Sequence, residues 1–354
     1  MSSDLLEPDR ATLNVLGRAE REIELLARVT PRNARRELAR LGEALARGAK
    51  LEPEFDYAPP PDLGALRREL AAAARALEPR GALCRLYAAR AIELELEARI
   101  AESVGDPELR RVAVLRFTEA SAPIAEECRA FVEAALSLLE PSDPALHRSD
   151  DWDDPRSLCS TLSRRAREAD VRVRIEIAGA QLAVATAGDG VVGVRPGVML
   201  SRASAERIAV HELFGHALPR ERARYAVPAL LRVGAAGSSE AEEGRALLLE
   251  ERATLMNTSR KRELALRHLA AAATRAGASF HDTASGLLER GAPPAVALEI
   301  AARAQRGGGL AREIVYLPAW FALRAELERE PSLEAWLERG RLSVAAARTL
   351  AALS

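Results

Sequence analysis

Aromatic side chains are scarce in this chain of 354 residues, at 4% of the total, so its core must be built mostly from Ala, Leu and Val. Cysteine is scarcer still. Cys84, Cys128 and Cys159 lie far apart and match neither a disulfide framework nor a zinc knuckle. An odd, sparse count suits a reducing cytosol. Neither sign of charge is in excess. The 51 basic residues face 52 acidic ones, for a formal net charge of -1, which removes any bulk electrostatic case for nucleic acid or an anionic membrane. No uncharged apolar run of about 18 residues occurs, so no membrane span is expected. The N-terminus has no basic-then-apolar signal pattern. Together these absences lead to the expectation of a cytoplasmic protein with no nucleic-acid or membrane partner.

What is abundant is Ala, Arg, Leu and Glu, a helix-forming mixture. At 48% hydrophobic the chain can bury a real core, and its length allows one large domain or two ordinary ones. Asp9 is placed to cap a helix running to about Val29, with Leu13, Leu16, Ile23 and Leu26 as its apolar stripe. Thr30-Pro31 opens a second helix that ends near Gly48. Between them Arg28, Arg32, Arg35, Arg36, Arg40 and Arg47 form a basic stretch. It is either a solvated helix face or a contact surface for an acidic protein partner. Pro53 and Pro59-Pro60-Pro61 make 51–62 an extended break. Helices are expected over 62–77, 82–104, 108–117, 123–139 and 156–169. The Asp- and Pro-rich stretch Pro141–Pro155 is the best boundary between an N-terminal helical region, 1–150, and a second region, 151–354; Trp152 within it reads as a packing residue.

The period then changes. Val171–Ile177 alternates as a half-buried strand does. Gln181–Thr186 and Val191–Val194 are further strand candidates, joined by the turn Gly188-Asp189-Gly190, and Val198–Leu200 adds a short one. The expected fold class is α+β and predominantly helical, with a small antiparallel or mixed sheet just before the helix Ala205–Leu218.

That helix carries His211-Glu212-Leu213-Phe214-Gly215-His216, which holds two of the five histidines of the chain. The stretch resembles the metal-binding helix of zinc peptidases, in which two His bind zinc and the Glu is the general base. The usual spacing there is His-Glu-x-x-His, and here one more residue intervenes. On an ideal helix, positions five apart point about 140° away from each other, so a straight helix keeps the two rings from one ion. A π-bulge restores their alignment, and Gly215 permits the distortion. A catalytic zinc also needs a third protein ligand. The next acidic cluster, Glu240, Glu242 and Glu243, followed by Glu250 and Glu251, opens a second helix; spacing alone does not choose between Glu242 and Glu243.

The sequence resembles the family named for a Gln-Glu-Gly-Leu-Ala motif and described as flavohaemoglobin expression-modulating, which includes microtubule-associated tyrosine carboxypeptidases. Its His-Glu-x-x-x-His motif corresponds to His211, Glu212 and His216. Its second motif corresponds to Glu242-Glu243-Gly244-Arg245-Ala246, with Arg in place of Leu. An Arg-x-x-Arg-Gly segment and a Tyr-Leu pair correspond to Arg303–Gly307 and Tyr316-Leu317, while Leu310-Ala311-Arg312-Glu313 stands in place of Phe-Thr-Lys-Asp. Glu54-Phe55-Asp56-Tyr57 resembles the family's start. The resemblance covers roughly residues 51–325.

The resemblance implies a zincin-like metallopeptidase core that hydrolyses a peptide or protein substrate as a carboxypeptidase. It makes Glu243 the third ligand beside His211 and His216, with one Zn2+ per chain and Glu212 as general base. In zincin-type peptidases an edge strand holds the substrate by backbone pairing. Arg306, Arg312 and Tyr316 are the candidates for stabilising the oxyanion or gripping a C-terminal carboxylate. His268 and His281 are expected to be ordinary histidines. Two other classes stand beside this one: a metal-binding regulator without turnover, and a helical scaffold for an acidic partner.

Overall fold

The structure, a computed structural model, describes residues 7–118, 120–139, 145–179, 181–188 and 190–354. Helix α1 (Arg10–Ile23) starts where Asp9 accepts from the Thr12 amide at 2.8 Å, a side-chain cap. It stops short of Val29 because Glu24 adopts φ 44°, and α2 (Leu25–Arg28) follows as a separate turn. Next come α3 (Ala34–Ala46) and, after the proline-rich break, α4 (Gly64–Leu77) and α5 (Ala82–Glu102), which pack side by side. Then α6 (Glu108–Arg116) and α7 (Ala122–Ser137) complete the first helical stretch.

Strand β1 (Leu146–Arg148) has no counterpart among the sequence expectations. Three residues are too few to display a period, and only its long-range partner defines it. After α8 (Leu158–Glu168) come β2 (Arg174–Ile177), β3 (Ala185–Ala187), β4 (Val191–Val194) and β5 (Met199–Ser201). They form two small sheets. β1 pairs antiparallel with β5, and a mixed sheet has the order β2-β4-β3, parallel on one side of β4 and antiparallel on the other. Val192 and Val194 of the central strand are fully buried, whereas the edge strand β2 is largely exposed and shorter than its alternation suggests. Its four residues match the four of β4, the one neighbour it pairs with in that sheet. Asp189 of the expected turn, and Pro141 and Pro144 of the expected connection, lie outside the described residues.

From β5 the chain passes directly into α9 (Arg202–Val210), capped by Ser201, and on through a π-helical segment into α10 (Leu218–Ala223). The rest is helical: α11 (Leu230–Val233), α12 (Ser238–Arg252), α13 (Thr258–Arg275), α14 (Phe280–Glu289), α15 (Pro294–Ala304), α16 (Tyr316–Arg329), α17 (Leu333–Leu337) and α18 (Val344–Leu353). The fold is α+β and predominantly helical. One hydrophobic cluster draws residues from Leu16 to Leu350, on both sides of the Pro-rich connection. A smaller one, with Leu158, Leu162, Val192, Val194, Ile208 and Leu213, clamps α8 and α9 onto the mixed sheet and so sets the start of the histidine helix. All three cysteines are buried and none forms a disulfide. No helix among the described residues is long and apolar enough to cross a membrane.

Candidate metal centre

His211 to Ala217 form one π-helical segment between α9 and α10. The Leu218 amide bonds to the Leu213 carbonyl, five residues back. This wider turn does what the spacing required: the rings of His211 and His216 come to 5.1 Å between centroids. Two glycines let the neighbouring helices close on it. A Cβ on Gly215 would fall 2.5 Å from the Cβ of Ala246 on α12, and one on Gly244 would fall 2.6 Å from the Ala319 carbonyl on α16. Neither position has room for a side chain, so α12 lies directly against the π-turn and α16 against α12.

That packing delivers the glutamates. Glu243 Oε2 lies 3.5 Å from His211 Nε2 and 3.9 Å from His216 Nε2. The three side chains have ligand atoms all within 4.8 Å of one another. Glu242, which spacing left as an alternative, turns behind the ring instead, with Oε2 3.6 Å from His216 Nδ1. Glu250 does the same for His211, its Oε1 at 2.7 Å from Nδ1. Each imidazole therefore has a carboxylate at its back and Glu243 at its front. An ionised carboxylate only accepts, so these partners favour the proton on Nδ1 and direct Nε2 forward. Burial disfavours the charged form of His211, but the bonds to Glu243 and Glu250 outweigh it and raise its pKa to about 9. Burial likewise opposes ionisation of Glu243; His211, His216 and Arg312 overcome it and hold the carboxyl well below the usual range. Once His211 gives up its Nε2 proton, two forward-facing imidazole nitrogens and one ionised carboxylate, converging in a buried site, are a donor set that fits a catalytic zinc.

The rear carboxylates are themselves fixed. Glu250 is fully buried and sits in the fork of Arg260, whose Nε and one terminal nitrogen each donate at 2.8 Å; Arg207 adds a contact at 3.6 Å. These cations outweigh burial and lower its pKa to about 2. Glu242 is held by Arg220 and Arg341, both at 3.2 Å, and Arg341 reaches on to Glu20 of α1 at 2.6 Å. Motif reading missed these supports. One signal was available: Glu243 and Glu250 are seven apart on one helix, two turns, and so share a face.

A family model described as microtubule-associated tyrosine carboxypeptidase matches residues 43–354. The chain belongs to this family. The match takes in the metal cluster, both glycine contacts and the C-terminal helices, extending beyond the residues that carry the resemblance read from sequence. It begins after α1 and α2, so Glu20 lies outside it. Neither a curated protein nor a solved structure matches the chain.

A cavity of about 190 Å³ holds the cluster together with Glu212, Arg306, Arg312 and Tyr316, and the edge strand β3 forms part of its wall. Glu212 is 8% exposed, next to His211 in the chain. Arg312 donates to Glu243 Oε1 at 3.2 Å and lies over the Tyr316 ring at 5.8 Å. Burial and the Glu243 carboxylate push the Tyr316 phenol up, which keeps it a hydrogen-bond donor. Arg306 differs. It spends its donors on Glu313, at 3.0 Å, and on the Arg303 carbonyl, while Arg303 also reaches Glu313 at 3.2 Å. It braces the loop that carries Arg312. In that loop Gly307, Gly308 and Gly309 all have positive φ, and the Tyr57 hydroxyl accepts from the Gly307 amide at 3.1 Å.

The remaining histidines are elsewhere. His147 contacts Asp154 at 2.6 Å, His281 accepts from the Leu51 amide at 3.3 Å, and neither these nor His268 join the cluster. In the basic stretch Arg28, Arg32, Arg40 and Arg47 pair with Glu24, Asp56, Glu37 and Glu43, and Arg35 donates to the Pro196 carbonyl. An acidic partner finds no support in that arrangement.

Proposed function

We propose that the chain is a zinc-dependent carboxypeptidase acting on a peptide or protein substrate. The observation that carries the reading is the convergence of His211, His216 and Glu243 beside Glu212 in one cavity, in a member of a carboxypeptidase family. His211, His216 and Glu243 would hold the ion. Zinc bound there supplies Lewis acidity, which acidifies water and polarises a carbonyl.

The rest of the reaction belongs to side chains. Glu212 takes a proton from the attacking water on its carboxylate and passes it to the leaving amine. Tyr316, protonated through its burial, donates to the oxygen on which negative charge develops. Arg312 grips the substrate's terminal carboxylate, a task suited to its two parallel donors. Arg306, committed to Glu313, acts by holding the loop. Strand β3 is the edge of its sheet among the described residues and lines the cavity, where an extended substrate pairs through its backbone.

The test has two arms. Purified protein is expected to carry about one zinc per chain. A peptide library that includes sequences ending in tyrosine is expected to lose C-terminal residues, read by mass spectrometry. E212Q should keep the metal and lose hydrolysis. Protein without metal, or an E212Q variant as active as the parent, sinks the reading.

A further inference from the structure

Pro219 stands four residues after Gly215 and has no amide hydrogen. In an α-helix the Gly215 carbonyl would be satisfied by residue 219, so here that donor is missing, and the proline ring crowds the carbonyl as well. The wide turn from His211 to Ala217 relieves the crowding but leaves the carbonyl beside a neighbouring helix. Arg245 meets it there. Its side chain is buried, with 7% of the residue exposed, and one terminal nitrogen donates to the Gly215 carbonyl. The other terminal nitrogen donates to the Leu337 carbonyl at the end of α17, at 3.2 Å. The Gly215 oxygen and the His216 nitrogen belong to one planar peptide unit, so fixing the first fixes the backbone from which the His216 ring projects.

We propose that Arg245 is a positioning residue for His216: it holds the carbonyl that Pro219 leaves without its helical donor, and so fixes the π-turn on which the metal centre depends. The inference rests on the metal-centre reading for its consequence, though not for its geometry. It also gives the C-terminal segment two grips on the same ring. Leu337 anchors Arg245, and Arg341, four residues on, holds Glu242 behind His216 Nδ1.

The test uses the full chain with R245M, which keeps the apolar stem and removes the donors, and R245K, which keeps one charged donor group. Hydrogen exchange of the metal-free protein is expected to quicken in R245M over residues 211–220 and to stay unchanged elsewhere. Zinc affinity, from competition with a chelator, should fall about 10- to 100-fold, the usual effect of losing an outer support. For hydrolysis kcat should fall while KM holds, and R245K should recover part of both losses. Exchange and zinc affinity equal to the parent would overturn the proposal. So would exchange that rises equally in every segment with no recovery in R245K, since that marks a packing role only. A parent protein that binds no zinc would end the carboxypeptidase reading, while the exchange comparison would still decide the role of Arg245.

Discussion

His211 Nδ1 and Glu250 Oε1 lie 2.7 Å apart, and behind that contact Glu250 is clasped by both donors of the Arg260 fork. A ring of the proposed metal cluster is thus tied, through a buried carboxylate, to a helix outside that cluster. Replacing Glu250 by Gln keeps the shape and removes the charge. Of the two carboxylates placed against Arg260 among the described residues, Glu263 alone would keep its charge. Zinc affinity is expected to drop about 10- to 100-fold, and denaturant unfolding should report a loss on the order of 3 kcal/mol for the broken buried pair. An unchanged midpoint together with unchanged chelator competition would show that this contact supports nothing.

Gly215 offers a second measurement. An added methyl would meet the Ala246 Cβ at 2.5 Å and the Ala246 Cα at 3.1 Å. G215A is expected to lose about 1–3 kcal/mol by overpacking. Adding A246G removes the closer contact and leaves the backbone one, so the double variant should recover part of that loss and not all of it. Urea melts of the three variants check this, and a double variant no better than G215A would contradict it.

Acid should unfold the protein through its buried ion pairs. Burial alone would raise Glu263 and Glu313, but Arg267, Arg260 and Arg207 hold the first well below the ordinary value of 4.5, and Arg306 and Arg303 lower the second. Folded pKa values below the unfolded ones mean that the unfolded chain binds more protons in that range. The stability they contribute is full above about 4.5 and is lost as pH falls. The melting temperature is expected to hold from about pH 7 to 5 and to fall steeply towards about pH 3. A flat profile across that lower range would refute the assignment.

Much of the site was legible because it is local. His211 and His216 are five apart, and helix geometry lets them face one point only if the turn widens, as it does from His211 to Ala217. Glu243 became legible only through a motif; from spacing it was indistinguishable from Glu242, since which of two adjacent helical residues faces a partner depends on how the helices dock. That docking is decided at Gly215, Gly244, Ala246 and Ala319. Strand β1 was not legible, and β2 was overextended, because strands of three or four residues are defined by their partners rather than by their own period.

Composition and period were enough to specify a mostly helical α+β chain and most of its elements as far as α12, and the histidine spacing pointed to the π-turn, because these depend on neighbours within a few residues. Tertiary structure alone decided which carboxylate faces the histidines and which stand behind them. It also decided that Arg306 braces a loop while Arg312 reaches Glu243, and that Arg245 answers for Pro219. Burial is the physical reason. A buried charge must find a partner, and here the partners, from Glu20 to Arg341, come from parts of the chain that meet only when it folds.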